Sequence, residues 1–169
     1  IDEQMKVHFE QTTAEIALYY RDLFGHKLGT TSAEIFFAIF VNYKLIGVCG
    51  FRSEKIMSLK DDKIFEMFCF APFLEQHRNI NRLLMMFIVS GEMRNVLKKS
   101  LSKENMIYEL NGVKTVCLSK YRKVKLNNNI LTITKKTKYK GMYKLLYEAE
   151  FNDLFFKDCI KKYLNEQTN

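Results

Sequence analysis

A single carboxylate lies inside a short, strongly apolar stretch of the chain, where it has the chemistry of a general base. Residues 64–70, IFEMFCF, form an aromatic-rich run closed by Ala71 and Pro72, which predicts a buried strand because proline would interrupt a helix. Burial raises the pKa of a carboxyl group towards neutrality, where it can accept a proton from a reacting group. Glu66 is therefore the predicted base. The alternative is an outward-pointing charge at the sheet edge, because strand alternation leaves its face open.

A polar loop and a helix follow this strand and together predict an anion-binding site. The loop reads QHRNIN at positions 76–81, and its asparagines can cap a helix. From Arg82 the apolar residues recur at three- and four-residue steps, so we expect one long amphipathic helix that ends near Ser100. Free backbone N–H groups at a helix start attract phosphate, so the junction is expected to hold a phosphate or pyrophosphate. The alternative is a loop that only caps the helix.

Ten basic residues and no acidic residue lie between Leu110 and Tyr147, in a chain of net charge +8. This uneven distribution predicts a surface for an acidic partner, and Tyr121, Tyr139 and Tyr143 can stack on an exposed base. DNA is the expected partner, and the alternative is a lysine-rich surface without one. The residues expected to contact DNA are Lys120, Arg122, Lys123, Lys125, Lys135, Lys136, Lys138 and Lys140.

Length and composition predict one compact domain spanning residues 1–169, because the chain has a typical domain size and is 47% hydrophobic, and the order of its predicted strands and helices makes the class α/β. The four cysteines are widely spaced without a Cys-x-x-Cys pair, which signals neither a disulfide framework nor a zinc site, and we expect no bound metal. No apolar run approaches the roughly 20 residues that span a bilayer, and the first residues are unlike a signal peptide. We therefore expect no membrane contact and a cytoplasmic location.

Hydrophobic periodicity predicts the elements of the first half of the chain. A strand over residues 5–9 precedes a helix that starts near Thr13, with Thr12 and Glu15 at the spacing of a capping box. The apolar runs 35–41 and 45–51 are then expected to form a hairpin.

The second half is predicted to complete the sheet. The dipeptide Asn111-Gly112 predicts a turn between strands at 106–110 and 114–119. Further strands are expected within a basic sheet region of about 110–147, and a helix over about 152–164, with Leu154, Phe155 and Cys159 directed inward, closes the domain.

The loop at 76–81 resembles the coenzyme A loop of GNAT-type N-acyltransferases, with Gln76 in its first position and Asn79 and Asn81 where that family has small residues. A narrower resemblance is to the Mom-like, GNAT-related DNA-modification proteins of phages. It is carried by the acidic strand residue, Pro72, the Asn79-x-Asn81-Arg82 helix entry and the basic, Tyr-rich C-terminal region, and in element order it covers residues 7–151. The resemblance implies a single GNAT-like domain with a mixed central sheet flanked by helices.

This resemblance also implies roles for individual residues. The donor would be acetyl-CoA or another acyl-CoA, bound by Phe70, Gln76, Arg78, Asn79, Asn81 and Arg82. Glu66 would be the base, and a tyrosine, Tyr143 or Tyr147, would protonate the leaving thiolate. His26 has a loop position from which it can face a substrate, or it is a surface cation. Cys69 is predicted to be structural, on the strand side opposite Glu66.

The function implied by the resemblance is the transfer of an acyl or related group to a base in DNA, as an antirestriction modification. Two alternatives stay open. One is an N-acetyltransferase that acts on a protein or a small molecule. The other is a catalytically silent GNAT-like domain that binds DNA or a protein, which the asparagines at positions 79 and 81 favour.

Overall fold

The computed structural model describes residues 4–24, 31–52, 63–72, 79–101, 110–121 and 130–167. These ranges contain seven strands and four helices. In chain order the elements are β1 (Val7–Thr12), α1 (Ala14–Leu23), β2 (Ile35–Val41), β3 (Lys44–Arg52), β4 (Lys63–Phe70), α2 (Ile80–Ile88), α3 (Gly91–Leu101), β5 (Gly112–Ser119), β6 (Thr132–Tyr139), β7 (Met142–Glu150) and α4 (Phe156–Gln167).

The strands form one sheet in the order β1-β2-β3-β4-β5-β7-β6. Neighbouring strands are antiparallel except β4 and β5, which are parallel and are joined by the crossover through α2 and α3. This architecture confirms the predicted α/β class with a mixed sheet flanked by helices. Within the described ranges, no helix is long and apolar enough to cross a membrane.

Each face of the sheet carries its own hydrophobic cluster. On one face, here called the inner face, α2, α3 and α4 pack on the sheet through buried residues such as Leu83, Met93 and Cys159. On the opposite face α1 places Ala17 against Phe36, Val48 and Phe68. Gly47 permits close packing of α2 on β3, since a Cβ there would lie 2.5 Å from the Leu84 side chain.

The first elements follow the predicted pattern with shifted boundaries. β1 begins at Val7, and α1 is capped by Thr13, whose side-chain oxygen accepts a hydrogen bond from the Ile16 N–H. The predicted capping box of Thr12 and Glu15 is therefore wrong by one position, because Thr12 is still paired in β1. The predicted hairpin is confirmed as β2 and β3.

The long helix predicted from Arg82 to Ser100 is wrong, because it is broken between α2 and α3. The Ser90 hydroxyl donates to the Phe87 carbonyl at 2.7 Å and accepts from the Met93 N–H at 3.1 Å, so it caps α3. The segment before α4 also stabilises the break between α2 and α3, since the Asn152 N–H donates to the Val89 carbonyl. Residues far apart in sequence thus replace hydrogen bonds that a continuous helix would make internally.

The C-terminal half differs from expectation at two points. Gly112 is not in a turn but begins β5, where it pairs with Lys63 of β4 on one side and with Glu150 of β7 on the other. The strand predicted at 106–110 lies mostly outside the described residues. The closing helix begins at Phe156, so Phe155 is exposed rather than directed inward, although Cys159 is buried as predicted.

Replacing Gly112 with Ala should destabilise the sheet, because the added Cβ would overlap the Ala149 carbonyl oxygen, which is backbone held in β7. We expect a loss of about 1–3 kcal/mol in the free energy of unfolding, measured with denaturant. Gly141→Asn is the control, since Gly141 has a φ of 76° that Asn tolerates and nothing lies within 4 Å of a Cβ there. Equal stability of Gly112→Ala and the wild type would contradict the close packing at this position.

Candidate active site

The two parallel strands at the centre of the sheet separate partway along their length. β4 and β5 pair only at Lys63 with Gly112, Ile64 with Val113 and Phe65 with Lys114, although each strand continues for five more residues. On the face opposite the inner one, the Lys114 ammonium lies 4.1 Å from the centre of the Phe65 ring at the last pair. In open sheets, ligands bind where neighbouring strands diverge at their carboxyl ends, so this opening is a natural site.

Glu66 and Thr115 are the first residues beyond the last β4–β5 pair. Glu66 is only 7% exposed, and its carboxylate accepts a hydrogen bond from the Thr115 side chain. Burial raises the pKa of Glu66 to about 7, and the hydrogen bond from Thr115 opposes the rise. The carboxyl group therefore exchanges a proton close to neutral pH, as a general base requires. Glu66 is not an outward charge.

A β-bulge at Met67 determines which side chains share the face with Glu66. Phe51 of β3 is opposite Glu66, and the preceding Gly50 is opposite Phe68, so Met67 is an extra residue in β4. The bulge reverses the alternation, and Cys69 consequently packs on the inner face together with Glu66. The prediction that the Cys69 and Glu66 side chains point to different faces of the sheet is therefore wrong.

Cys69 is directly opposite Cys49 of β3, and both thiols lie near the Glu66 carboxylate. Burial raises the pKa of both thiols well above the ordinary value, and the carboxylate adds to the rise. Protonated thiols are poor nucleophiles, so these two residues act as small apolar groups beside the carboxylate.

The inner face carries a row of polar side chains across three strands. Thr115 of β5 is opposite Tyr147 of β7, which is 2% exposed, so Glu66, Thr115 and Tyr147 lie level with one another. Tyr143 is on the same face, opposite Ser119 at the end of β5, and is partly buried. Four residues of strand place Tyr143 about 13 Å from Tyr147. Of the two predicted acids, the structure brings Tyr147 level with Glu66.

The start of α2 lies beside the end of β4. The Asn81 side-chain oxygen accepts a hydrogen bond from the Ala71 N–H at 3.1 Å, and this contact ties the helix to the strand. Arg82 forms a bidentate ion pair with Glu166 of α4, at 2.6 and 2.9 Å. These two predicted cofactor residues thus hold the first turn of α2 in place.

The first turn of α2 nevertheless has the features of an anion site. Asn79 occupies the N-cap position but makes no side-chain capping bond, and the turn contains no acidic residue. The turn therefore carries no carboxylate of its own that would repel an anion, although its Arg82 N–H already donates to the Asn79 carbonyl at 2.8 Å. The Asn81 and Arg82 side chains are engaged in contacts within the protein, so an anion at this end would be held by backbone donors.

The remaining predicted site residues have different positions. The Phe70 ring stacks on Phe68 at 6.1 Å in the cluster opposite the inner face. His26, Gln76 and Arg78 lie outside the described residues, as do Arg122, Lys123 and Lys125. In the part of the chain that the structure describes, no three His, Cys, Asp or Glu side chains are grouped to hold a metal ion.

The basic stretch is divided between the two faces of the β6–β7 ribbon. Lys136 and Lys138 are opposite Leu145 and Tyr143, so they lie on the inner face, while Lys135 and Lys144 lie on the other. All four are exposed, as are Lys120 and Lys140. Lys114, which the sequence places in this basic stretch, is instead 4% exposed beside Phe65 and cannot belong to a surface.

Sequence reasoning missed Thr115 and Glu166, whose roles come from partners distant in sequence. Thr115 contacts Glu66 only because β4 and β5 are adjacent, and Glu166 pairs with a residue 84 positions away. A signal for Thr115 exists in the sequence, since it is a hydroxyl residue inside the apolar run that follows Gly112.

Comparison with known proteins gives one family. The family model described as a phage GNAT-like domain matches residues 4–168, which is nearly the whole chain. No curated protein sequence matches this chain.

Protonation of Glu66 should make the stability of the protein depend on pH. The carboxyl group titrates at about 7 in the folded protein but near 4.5 in the unfolded chain, so only the folded state keeps the proton between these values. The free energy of unfolding should therefore fall as the pH rises from about 4.5 to about 7, by at most about 1.4 kcal/mol per pH unit from this group.

The measurement is denaturant unfolding of the wild type and Glu66→Gln at stepped pH. The variant cannot ionise at this position, so its stability relative to the wild type should increase across that window. Glu150→Gln, at the exposed end of β7, controls for the exchange of a carboxylate for an amide. Parallel pH curves for the wild type and Glu66→Gln would contradict the raised pKa.

Proposed function

The chain belongs to the phage GNAT-like domain family, and on that premise we propose that it transfers an acyl or related group from a coenzyme A thioester to a base in DNA, in the manner of the Mom-like modification proteins. Membership of the family supports the acetyltransferase-like chemistry. The observation that carries the proposal is the buried Glu66 carboxyl at the point where β4 and β5 separate, with a pKa of about 7. The acceptor is the finer part of the proposal and is argued below.

The donor fits two features of the inner face. The start of α2, where Asn79 makes no side-chain capping bond, would hold the pyrophosphate, and the opening between β4 and β5 would admit the rest of the donor. When bound, an acyl-CoA supplies an electrophilic acyl carbon and a thiolate leaving group. The buried walls around Glu66, among them Phe51, exclude water that would hydrolyse the thioester.

Glu66 acts on the acceptor nitrogen. Its carboxylate would accept the proton that the acceptor nitrogen loses on acylation, while the bound donor would supply the acyl group and a thiolate leaving group. Thr115 orients the carboxylate through its hydrogen bond. Tyr147 lies level with these two residues, and we assign to it the return of a proton to the departing sulfur. The raised pKa suits Glu66 to this role, because a carboxylate with its ordinary pKa would be a much weaker base.

DNA as the acceptor is supported by the charge and aromatic residues at the end of the β6–β7 ribbon. Lys136 and Lys138 share the inner face with Tyr143, and Tyr121, at the end of β5, is 74% exposed. Lysines neutralise phosphates, and exposed tyrosines stack on unpaired bases. A base in duplex DNA must leave the stack before it reaches a buried carboxylate, and a basic rim with aromatic residues suits that step.

Mass spectrometry of nucleosides from DNA co-expressed with the protein tests this function. We expect a modified nucleoside with wild-type protein, and a loss of about 10²–10⁴-fold in its rate of formation with Glu66→Gln, since the amide keeps the shape but cannot accept a proton. The melting temperature of the same preparation controls for folding. If the DNA stays unmodified while a protein or a small molecule is acylated, the acceptor is not DNA. Full modification by a stable Glu66→Gln protein would contradict the role of the base.

The two faces of the β6–β7 ribbon provide a matched test of DNA binding. Replacing Lys136 and Lys138 with Glu should weaken binding and lower the slope of log K against log salt by about 2, because two phosphate contacts are lost. Replacing Lys135 and Lys144 with Glu makes the same change of charge on the opposite face and should have a smaller effect. Equal losses in both variants would indicate a long-range charge effect, and no loss in either would exclude the ribbon from the interface.

A further inference from the structure

A second cavity lies at the β1 edge of the sheet, away from the opening at Glu66. It has a volume of about 660 Å³, is open to solvent, and is bordered by the start of β1, the β2–β3 turn and the start of α4. In the sheet order, β2 and β3 separate β1 from β4, so the two sites are distinct. Five of its eleven lining residues are apolar or aromatic and six are polar or charged, and its size is typical of small-ligand sites.

The residue that stands out in this cavity is Tyr43, at the second position of the two-residue β2–β3 turn. Its φ is 65°, a left-handed conformation for which a hairpin turn prefers glycine. The side chain is 85% exposed, so packing does not compensate for the unfavourable conformation. A bulky aromatic residue at such a position breaks a local rule without a structural gain, and exceptions of this kind concentrate at functional sites.

The turn that carries Tyr43 is held in place. The Lys6 N–H donates to the Asn42 side-chain oxygen at 2.8 Å, and the Asn42 N–H donates to the Lys6 carbonyl at 2.9 Å. The His8 ring stacks on Phe40 with the centroids 4.9 Å apart, and its centroid is 6.4 Å from that of Tyr43. This wall of the cavity is therefore ordered before any ligand arrives.

The opposite wall contains a second exposed aromatic ring, Phe155, which is 57% exposed just before α4. Its N–H donates to the Asp158 carboxylate at 3.0 Å, which anchors the backbone at this point. The Lys157 ammonium lies 5.9 Å from the centre of the Phe155 ring. A cation and an aromatic face are thus presented together.

The charges of the cavity favour an anion. Lys6 and Lys157 line it, while the carboxylate of Glu92 accepts a hydrogen bond from the Phe156 N–H at 2.6 Å and is directed to the start of α4. The positive end of that helix further offsets the charge of Glu92. The complementary ligand combines a flat ring with a negative group.

We propose that this cavity binds a nucleotide, with its base against the aromatic walls at Tyr43 and Phe155 and its phosphate near Lys6 and Lys157. The proposal is independent of the acyl-transfer function, because it uses no residue of the β4–β5 opening. A free nucleotide and a nucleotide within a single strand present the same chemistry, so both belong to the test. An acidic peptide would satisfy the lysines but would leave the rings without a partner.

The test follows the methyl resonance of Met5, which lines the cavity, in protein labelled with ¹³C-methyl methionine. Substitution of Met5 with Leu assigns the signal. The ligands are AMP, CMP, GMP and TMP, a short thymidine oligonucleotide, inorganic phosphate and a tetraglutamate peptide. We expect the Met5 signal to shift and saturate with the nucleotides, and tighter binding of the oligonucleotide would identify a strand rather than a free nucleotide as the ligand.

Tyr43→Gly is the decisive variant, since glycine suits the turn while it removes the ring. It should weaken nucleotide binding about tenfold with the melting temperature equal or higher, because stacking on one aromatic side chain is worth about that much. Lys6→Ala combined with Lys157→Ala should weaken binding and reduce its salt dependence. Tyr19→Ala, which removes another exposed tyrosine, on α1 and outside the cavity, should leave the Kd unchanged.

Four outcomes would overturn the proposal. They are a Met5 signal that does not move up to the solubility limit of the nucleotides, equal affinity for inorganic phosphate and nucleotides, tighter binding of the peptide than of any nucleotide, and an unchanged Kd in folded Tyr43→Gly protein.

Discussion

The short parallel pairing of β4 and β5 is the constraint on which the rest of the structure depends. Two parallel neighbours need a crossover connection, and α2 and α3 provide it across the inner face. Because the strands pair at only three positions, the sheet continues on both sides while a gap opens at its centre. Arg94 of α3 helps to set this arrangement, since its guanidinium donates to the Leu110 carbonyl at 2.7 Å just before β5. The same crossover therefore positions both strands and the start of α2.

The cost of burying Glu66 is best understood together with this gap. A carboxyl group removed from water is disfavoured in its charged form, and a single hydroxyl partner does not restore the lost hydration. An apolar residue would pack more favourably between Phe51 and the cysteines. The gap between β4 and β5 lets a ligand reach the carboxyl group of Glu66. A residue that is unfavourable to bury therefore occupies the position that a ligand can reach. Stability is reduced there in exchange for a group that titrates near neutrality.

Much of the fold was predictable from the sequence, because the apolar runs of β2, β3 and β4 and the periodicity of α1 are local signals. The errors came from contacts between distant segments. The break at Ser90 depends on Asn152, and the face of Cys69 depends on an extra residue in β4 that only its pairing with β3 reveals. At the site, Glu66 was identifiable as a carboxylate in an apolar strand. Thr115 stands out in the sequence only as a hydroxyl residue in an apolar run, and its contact with Glu66 was not predictable, because strand adjacency across a crossover leaves no trace in local spacing.

β6 forms one edge of the sheet, and its exposed lysines on both faces have a consequence for self-association. An edge strand presents unpaired N–H and C=O groups that can template another chain and lead to aggregation. Charged side chains on both sides of β6 make the approach of a second identical edge electrostatically unfavourable. The lysine content of this strand therefore serves solubility whatever the partner of the ribbon is. Substitutions to neutral residues would leave the fold intact and would still promote edge-to-edge pairing at high protein concentration.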